Sequence, residues 1–558
     1  MILILIMITA SFFEIISIGA VIPFLSVLTS PELVFQHPLA MPLINALGFS
    51  DPKQLLLPLS IFFAITSIFA GAMRVILTWM QTRLGHAIGA DLSISIYRRT
   101  LYLPYELHML KNSSEKISAV TAKTNSVVFY TVMPALTIIS SGFISVAIVV
   151  ALIVVEPMLA LMLFGGFGFI YLGIMIITKK RLQYEGLCIS REEELVLKAL
   201  QEGLGGIRNV LIDGNQEIHC EIYQKADLPH RRAIANVQII SNIPRYCIEA
   251  LGMVLITILA YSLAGKDTGV ESAIATLGAF ALSAQRLLPA LQQGFSSWTM
   301  MNGGKESLRV ALDLLDKSIK MDVKASSVSP ISFNKNFTIN NVSYRYNIED
   351  SFMLKNISQT IAKGSRIGII GITGSGKSTL LDIIMGLLIP TQGVLAVDGV
   401  VITERNLKSW QRHIAHVPQV IFLADTSIEE NIAFGISKNN IDHDRVRQAA
   451  EMAQIGKTIE SFSNGYDTQV GEHGVRLSGG QRQRIGIARA LYKQADVIIF
   501  DEATSALDSD TESVVMNAIE NLSENITIII VAHRISTLKN CTHIYEICEG
   551  SIRLRDIS

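Results

Sequence analysis

The chain carries few charges, and those it has nearly cancel. Asp, Glu, Lys and Arg make up 17% of the 558 residues, and the formal net charge is −1 at pH 7. Proteins that bind nucleic acid through its phosphates need a basic excess on one domain or one face. The composition gives no such argument, so nucleic acid is not an expected partner.

Cysteine is scarce, and its positions form no pattern. The five cysteines are Cys188, Cys220, Cys247, Cys541 and Cys548. No two of them have the spacing of a metal site or a redox motif, and their number is odd. A reduced cytosolic and membrane setting therefore fits better than a secreted one.

Apolar residues are abundant instead: 50% of the chain is hydrophobic. The chain is apolar from Met1 to about Leu28. This run has no basic lead and exceeds the ~20 residues that span a bilayer, so it predicts a transmembrane helix rather than a signal peptide.

Five more apolar segments follow, which makes six predicted spans. They lie at about 55–80, 127–154, 158–178, 246–264 and 271–297. Lys and Arg concentrate in the two long connections, between spans two and three and between spans four and five. The positive-inside rule therefore places these connections and both termini in the cytoplasm.

The two long connections are patterned as helices. Residues 91–103 and 191–204 alternate charged and apolar residues at helical spacing, which predicts spans that continue into the cytoplasm. Turning points are expected at Pro104–His108 and Ile212–Gln216. These tips could dock a cytoplasmic domain or be solvated loops.

The character of the chain changes near residue 317. Mixed polar residues with a proline predict a linker over 317–335, and short β-branched strands that alternate with helices follow. The predicted domains are a six-helix transmembrane domain over 1–316, the linker, and an α/β nucleotide-binding domain over 336–558.

A glycine-rich turn at 371–378 joins an apolar strand to a helix. Strand, glycine turn and helix N-terminus together form a phosphate cradle, in which a lysine reaches the β- and γ-phosphates and a serine holds Mg²⁺. A flexible loop that matches by chance is the alternative. The residues expected to bind ATP here are Gly371, Thr373, Gly374, Ser375, Gly376, Lys377, Ser378 and Thr379.

Acidic residues end a second apolar strand, Val497–Phe500. Asp501 can bind Mg²⁺, and Glu502 is placed to polarise the water that attacks the γ-phosphate. A surface turn would carry the same two carboxylates. His533, after the strand at 526–531, can contact the γ-phosphate, although a lone histidine is more often structural.

A second anion site is predicted at Leu477–Gln481, where a serine and two glycines precede a basic helix. One domain then has two phosphate-binding surfaces, Gly371–Ser378 and Ser478–Gln481. This favours two copies that face each other, each completing the other's site.

Taken together, these motifs resemble an ATP-binding cassette, and the whole chain resembles an ABC exporter half-transporter of the type IV fold. The implied fold is an α-helical membrane domain of six helices with long cytoplasmic extensions, plus an α/β P-loop NTPase cassette. The resemblance assigns ATP and Mg²⁺ as cofactors. It implies catalytic roles for Glu502, His533 and Gln419, metal contacts for Ser378, Gln419 and Asp501, and nucleotide contacts for Tyr346, Ser478, Gly479, Gly480, Gln481 and Asp508.

Two departures from the family pattern are visible. His473 stands where the segment Thr468–Gly474 of exporters usually has arginine, so the charge of that contact differs. The chain also begins inside the first span, without the usual lead-in, which suggests a truncation or a misassigned start. Coupling helices are implied near 103–112 and 209–218.

Short segments within the membrane domain resemble bacterial lipid-linked oligosaccharide flippases: 14–24, 105–114 and 280–289. Glu14, Arg74 and Arg286 lie inside apolar spans, where ionisable groups are costly and often functional. Arg286 and Glu14 are the candidate substrate residues, since a guanidinium can bind phosphate through two hydrogen bonds. An interhelical ion pair or a snorkelling arginine is the alternative.

The expected function is an ATP-driven exporter or flippase that moves a lipid-linked or amphipathic substrate, such as a lipid-linked oligosaccharide, from the cytoplasmic side. A peptide, bacteriocin or multidrug exporter is the alternative, and a cassette-gated channel also fits formally. Six spans argue against a soluble cassette ATPase. A homodimer in the bacterial inner membrane is expected, with the cassette in the cytoplasm; a heterodimer with a related half is the other arrangement.

Overall fold

The computed structural model describes residues 1–29, 32, 35, 51–110, 112–155, 157–264, 270–316, 331–347, 349–502, 512–513, 516, 525–532 and 538–555. The chain divides into two compact units. The first comprises residues 1–103 and 108–321, and the second comprises residues 104–107 and 322–558.

The first unit is entirely helical over its described residues. Its six long helices are α1 (Ile2–Thr29), α2 (Leu56–Leu101), α6 (Met133–Val155), α7 (Pro157–Gly205), α9 (Gln216–Ala264) and α10 (Val270–Gly303). Its shorter helices are α4 (Ser113–Ser118), α5 (Thr124–Val127), α8 (Ile207–Asp213) and α11 (Lys305–Asp316), with a 3₁₀ turn at Pro52–Leu55. The short helix α3 (Tyr105–Leu110) is divided between the two units. The fold prediction of six long helices is confirmed.

Three helical stretches among the described residues are long and apolar enough to cross a membrane by length and composition. They are Ile2–Leu28, Pro52–Leu101 and Ser114–Val154. The third is nearly continuous because two π-helical turns, Ala119–Lys123 and Val128–Val132, join α4, α5 and α6. The other predicted spans lie within α7, α9 and α10.

The extended helices continue far beyond bilayer length, as the charged-apolar pattern predicts. α2 has 46 residues and α7 and α9 have 49 each, against the ~20 that span a bilayer. α2 ends at Leu101 with Arg98 and Arg99 in its last turn, where cations complement the helix dipole. α8 ends at Gly214, whose left-handed conformation caps it. The short helices α3 and α8 lie at the two predicted tips.

The second unit contains two sheets. The first is antiparallel, with strand order β2-β1-β4-β5; the second has the order β10-β9-β3-β8-β7-β6 and is parallel except at β10. The strands are β1 (Asn336–Tyr344), β2 (Leu354–Ala362), β3 (Arg366–Ile370), β4 (Gln392–Val397), β5 (Val400–Val401), β6 (Ile414–Val417), β7 (Val497–Asp501), β8 (Thr527–Val531), β9 (His543–Cys548) and β10 (Ser551–Arg555).

Helices in this unit accompany the parallel sheet. They are α12 (Lys377–Ile384), α13 (Leu407–Arg412), α14 (Ile428–Ile432), α15 (His443–Met452), α16 (Gly456–Glu460) and α17 (Gly479–Tyr492), with 3₁₀ turns at Lys438–Asn440, Gly465–Asp467 and Glu472–Gly474. In a parallel sheet, the carboxyl ends of the strands form one edge where ligands bind. The ends of β3, β6 and β7 lead directly into the predicted phosphate loop, Gln419 and Glu502.

Two hydrophobic cores form this unit. One contains β1, β2 and α12, with the indole of Trp410 fully buried. The other contains α14, α15, α16 and α17. Most of the predicted linker, residues 317–330, lies outside the described residues, whereas Ile331 and Phe333 are buried in the first core.

Candidate functional site

The loop Gly371–Gly376 has the backbone of a phosphate cradle. It connects the end of β3 to Lys377, the first residue of α12. Gly374 and Gly376 adopt φ of +82° and +104°, conformations that residues with a Cβ rarely reach. At Gly376 a Cβ would lie 2.7 Å from Leu354 Cδ2, so space as well as conformation requires glycine there.

Polar groups converge on this loop without using all their hydrogen-bond capacity. The Lys377 ammonium donates to the carbonyls of Gly371 and Ile372, at 2.7 and 3.0 Å. The hydroxyl of Ser375 is buried and has no partner among the described residues. The first turn of α12 has N–H groups that no helical carbonyl accepts. The residues present therefore fit a bound phosphate chain.

The predicted carboxylates and Gln419 come together at the end of β7. Gln419 Nε2 donates to Glu502 Oε2 at 2.7 Å. Glu502 itself has φ of +51°, an uncommon conformation for a residue with a side chain, which indicates backbone strain beside the site. Burial raises the pKa of Asp501, the negative charge of Glu502 raises it further, and Lys377 opposes both. The structure thus brings four predicted site residues close enough to interact: Lys377, Gln419, Asp501 and Glu502.

A third carboxylate, Asp382, lies near Asp501 and was not singled out from the sequence. Burial, and then the charge of Asp501, raise the pKa of Asp382 to about 6. Its signal in the sequence is its position on α12 between the apolar residues Leu381 and Ile383, both of which are buried. Burying a carboxyl group at such a position costs free energy of desolvation.

Tyr346, one of the predicted nucleotide contacts, is accessible, and its neighbour Tyr344 is not. The ring of Tyr346 is 45% exposed, whereas Tyr344 is 3% exposed and packs edge-on against it at 5.1 Å between ring centroids. The Tyr346 hydroxyl forms a 3.0 Å hydrogen bond with the Thr379 hydroxyl. Tyr346 is thereby held beside α12, with a ring face available for stacking.

The segment Leu477–Gln481, the signature segment of the cassette family, caps the N-terminus of α17. Ser478 Oγ accepts from the N–H of Gln481 at 3.2 Å, and Gln481 Oε1 accepts from the N–H of Ser478 at 2.8 Å, which forms a capping box. Gly479 and Gly480 are the first helical residues. The Ser478 side chain is exposed, so the helix N-terminus faces solvent.

Two predicted site residues, Asp508 and His533, lie outside the described residues. His473, in the exporter-type segment, is described: it is exposed, has φ of +51°, and packs edge-on near the ring of Phe422.

Three ionisable residues of the spans, Glu14, Arg74 and Arg286, form one cluster. Glu14 of α1 is 1% exposed, and its Oε1 accepts from Arg286 Nη1 of α10 at 2.6 Å. The same oxygen lies 2.8 Å from Arg74 Nη2 of α2. One carboxylate thus pairs with two guanidiniums and joins three helices. The interhelical ion pair, one of the two sequence-based alternatives for Arg286, is present.

A hydrogen-bonded pair that joins α14 to α17 was not predicted from the sequence. Asn431 of α14 is fully buried, and Arg489 of α17 donates to its backbone and side chain. The signal was an arginine within the apolar run Ile487–Leu491, where a charged side chain needs specific partners. No motif reasoning used it.

Comparison with known proteins agrees with this geometry. The family model described as the ABC transporter transmembrane region matches residues 1–284, and the ABC transporter model matches residues 354–505. A solved bacterial Atm1-family ABC exporter with ATP bound superposes with a TM-score of 0.77 at 22% identity, covering 98% of this chain and 94% of that chain. This likeness shows the fold.

Among curated proteins, the chain is similar to the ATP-dependent lipid A-core flippase of Shewanella denitrificans, with 30% identity over 90% of this chain and 84% of that protein. The Heterocyst differentiation ATP-binding protein HepA of Nostoc sp. is 28% identical over 97% of this chain and 88% of its own length.

These matches cover both units of the chain and the residues of the phosphate loop. The protein binds nucleotide and hydrolyses ATP to drive transport, and it resides in the bacterial cytoplasmic membrane with its cassette in the cytoplasm. The chain belongs to the ABC transporter family, as an exporter that carries its transmembrane region and its ATP-binding cassette in one polypeptide.

Proposed function

We propose that this exporter is a flippase for an amphipathic lipid with a phosphate-bearing head group, such as a lipid-linked oligosaccharide. The observation that carries the proposal is the cluster of Glu14, Arg74 and Arg286 within the spans. Similarity to proteins named ATP-dependent lipid A-core flippase supports a lipid as the cargo.

The charges of this cluster do not cancel. One carboxylate faces two guanidiniums, which leaves a formal charge of +1 among the described side chains of the cluster. The side chains of Arg74 and Arg286 are 44% and 27% exposed, whereas Glu14 is buried. A cationic excess in a low-dielectric region favours an anionic ligand, and guanidinium is suited to phosphate oxygens.

ATP hydrolysis is assigned to a composite site between two cassettes of a homodimer. The phosphate loop precedes α12, whereas the capped N-terminus of α17 is a separate anion site whose Ser478 is exposed. The exposed Ser478 can therefore meet a nucleotide held by a second chain. Asp508 completes the proposed contacts across the dimer.

The residues at the edge of the sheet take separate roles. Lys377 and the loop N–H groups hold the phosphates, and Tyr346 stacks on the base. Ser378, Gln419 and Asp501 would supply oxygen ligands of the kind Mg²⁺ prefers, and the ion held there would offset the negative charge of the nucleotide phosphates. Glu502 accepts a proton from the attacking water, and His533 contacts the γ-phosphate.

Glu502→Gln should abolish turnover and accumulate nucleotide-bound dimers, as measured by ATPase rate and size-exclusion chromatography. Normal turnover would refute the role of Glu502.

The substrate class is tested with the full-length protein in nanodiscs. ATPase activity is measured against polyprenyl-pyrophosphate glycans, the matching neutral polyprenols, peptides and cationic drugs. We expect stimulation by the pyrophosphate lipids alone. Stimulation by peptides or drugs, with none by the phosphate lipids, would replace the flippase with the peptide or multidrug exporter.

A substitution links that result to the cluster. Arg286→Ala should weaken stimulation by the pyrophosphate lipid at least tenfold and leave basal ATPase activity unchanged, because the residues proposed for hydrolysis all belong to the second unit and Arg286 to the first. Arg245→Ala is the matched control, because Arg245 pairs with Glu249 on one exposed face of α9. If Arg286→Ala weakens the stimulation no more than Arg245→Ala does, Arg286 does not bind the lipid.

A further inference from the structure

The segment that follows Gln419 lies against the signature helix α17. A Cβ on Gly486 would lie 2.5 Å from Ile421 Cδ1, so the absence of a side chain lets the segment approach the helix closely. One turn later on the same helix, Arg489 Nη1 donates to the carbonyl of Phe422 at 3.0 Å. Gly486 and Arg489 thus hold residues 421–422 on one face of α17.

Arg489 is also bound to α14. Its Nε donates to the carbonyl of Asn431 at 2.9 Å, and its Nη2 donates to Asn431 Oδ1 at 3.2 Å. The guanidinium lies 4.6 Å from the ring centre of Phe434. Three hydrogen bonds and a ring contact fix both the position and the plane of the guanidinium.

Asn431 continues the connection back to the segment after Gln419. Its side chain accepts from the N–H of Ala424 at 3.0 Å and donates to the carbonyl of Ala424 at 2.9 Å. It also donates to Thr426 Oγ1 and to the carbonyl of Ser427. The amide therefore closes the loop 424–431, and Arg489 attaches that closed loop to α17.

The type of partner that Arg489 has is informative. Among the described residues its hydrogen bonds go to two carbonyls and an amide oxygen, and no carboxylate lies within ion-pair distance. Burial lowers the pKa of this guanidinium to about 10, which shows the desolvation it bears. A lysine offers three donors from one atom and cannot reach three separate acceptors in one plane. The arrangement is therefore specific to arginine.

We propose that Arg489 and Asn431 are positioning residues for ATP hydrolysis: together they fix the segment after Gln419 to the signature helix, so that Gln419 and Ser478 move as one body. Gln419 lies three residues before Phe422 and donates to Glu502, whereas Ser478 caps the other end of α17. The Arg489–Asn431 pair thus sets where the two catalytic elements stand relative to each other. The proposal rests on the proposed role of Gln419 and is independent of the lipid carried.

The test compares steady-state ATPase kinetics and nucleotide binding in the full-length protein. Arg489→Met and Asn431→Leu should each lower kcat by about 10- to 100-fold, the range expected for a misplacement of about 1 Å. The affinity for a fluorescent ATP analogue should change less than threefold, because Lys377 and Tyr346 are held by hydrogen bonds to the phosphate loop and to Thr379 rather than by the Arg489–Asn431 pair. A large loss of affinity with kcat retained would overturn the proposal.

The kcat losses of the two substitutions should also not combine in the double variant. If the residues act as one unit, Arg489→Met combined with Asn431→Leu lowers kcat no further than the stronger single variant. Multiplication of the two losses would show that the residues act separately and would overturn the proposal. Arg489→Lys, which keeps the charge, serves where the methionine variant fails to fold, and it should still lose at least fivefold in kcat.

Two controls separate this role from stability and from the proposed site. Val446→Ala removes buried volume from the same core, and it should lower the melting temperature while kcat stays within twofold. An equal kcat loss in that variant would assign the effect to general destabilisation. Gln419→Ala should match the kcat loss of Arg489→Met. Normal kcat in Gln419→Ala would refute the proposed role of Gln419, whereas normal kcat in Arg489→Met alone would refute only the positioning role.

Discussion

Replacing Glu14 with glutamine should destabilise the membrane unit, and the structure allows the size of the effect to be worked out. Glu14 is buried and its Oε1 serves two guanidiniums, at 2.6 and 2.8 Å. Removing one partner of a buried ion pair costs about 3–5 kcal/mol. Glutamine keeps an oxygen that Arg286 can still bond, and Arg74 is exposed enough to turn its charge away. We therefore expect a loss of about 2–3 kcal/mol.

The assay is thermal unfolding of the full-length protein in nanodiscs at one scan rate. A domain of more than 250 residues changes its melting temperature by roughly 2 °C per kcal/mol, so Glu14→Gln should lower it by about 4–6 °C. Arg286→Gln should have a similar effect alone. The double variant should recover part of the loss, with a coupling energy of about 2 kcal/mol, because it removes both charges at once.

Additive losses would refute this reasoning. If the double variant melts lower than the wild type by the sum of the two single shifts, Glu14 and Arg286 do not stabilise each other. The cluster would then be no structural junction of α1 and α10. Arg245→Gln is the control, because it breaks an exposed ion pair on α9 and should lower the stability by less than about 1 kcal/mol.

Two further predictions concern the cassette and the helix packing. The pKa of Asp382 is raised from 3.8 to about 6, so the fold favours its neutral form; this stabilisation is complete below pH 3.8 and is lost as the pH rises through 6. Asp382→Asn should therefore melt close to wild type near pH 4. At pH 7.5 it should be more stable than wild type by about 1–2 kcal/mol, a value reduced to allow for the partial exposure of Asp382. A stability difference between the two proteins that does not depend on pH would contradict the raised pKa of Asp382. Gly186→Ala should destabilise the protein by about 1–3 kcal/mol, because its Cβ would lie 2.2 Å from the carbonyl oxygen of Gly303. Gly173→Ala is the control: its Cβ would have nothing within 4 Å, so the substitution should be neutral or slightly stabilising. Equal melting temperatures of the two variants would exclude a close contact of α7 with α10.

The order of the motifs was enough to predict the cassette and its phosphate loop. A glycine turn between a strand and a helix needs only local geometry, and Gly374 and Gly376 have the backbone angles that the pattern requires. The six long helices followed from length and apolar composition, since a bilayer demands both. The signature residues Ser478 and Gln481 could likewise be placed at a helix N-terminus from their spacing alone.

The partners of charged residues could not be read in the same way. Glu14 and Arg286 are 272 positions apart, and only the packing of α1 against α10 brings their side chains to 2.6 Å. Sequence alone left Arg286 equally open to a lipid phosphate and to an interhelical ion pair. Arg489 and Asn431, 58 positions apart, are a second case, in which the hydrogen bonds run to backbone carbonyls that no side-chain pattern reveals.

The sequence by itself determined what this protein does with ATP: the residues of the phosphate loop, the acidic strand end and the signature segment are local in the chain, and their chemistry depends on short spacings. Tertiary structure alone decided how these parts are connected, with Gln419 on Glu502, Asp382 beside Asp501, and Glu14 between two arginines. Such contacts join distant segments. Their free energies depend on burial and on which partner satisfies each polar group, and both are properties of the packed fold.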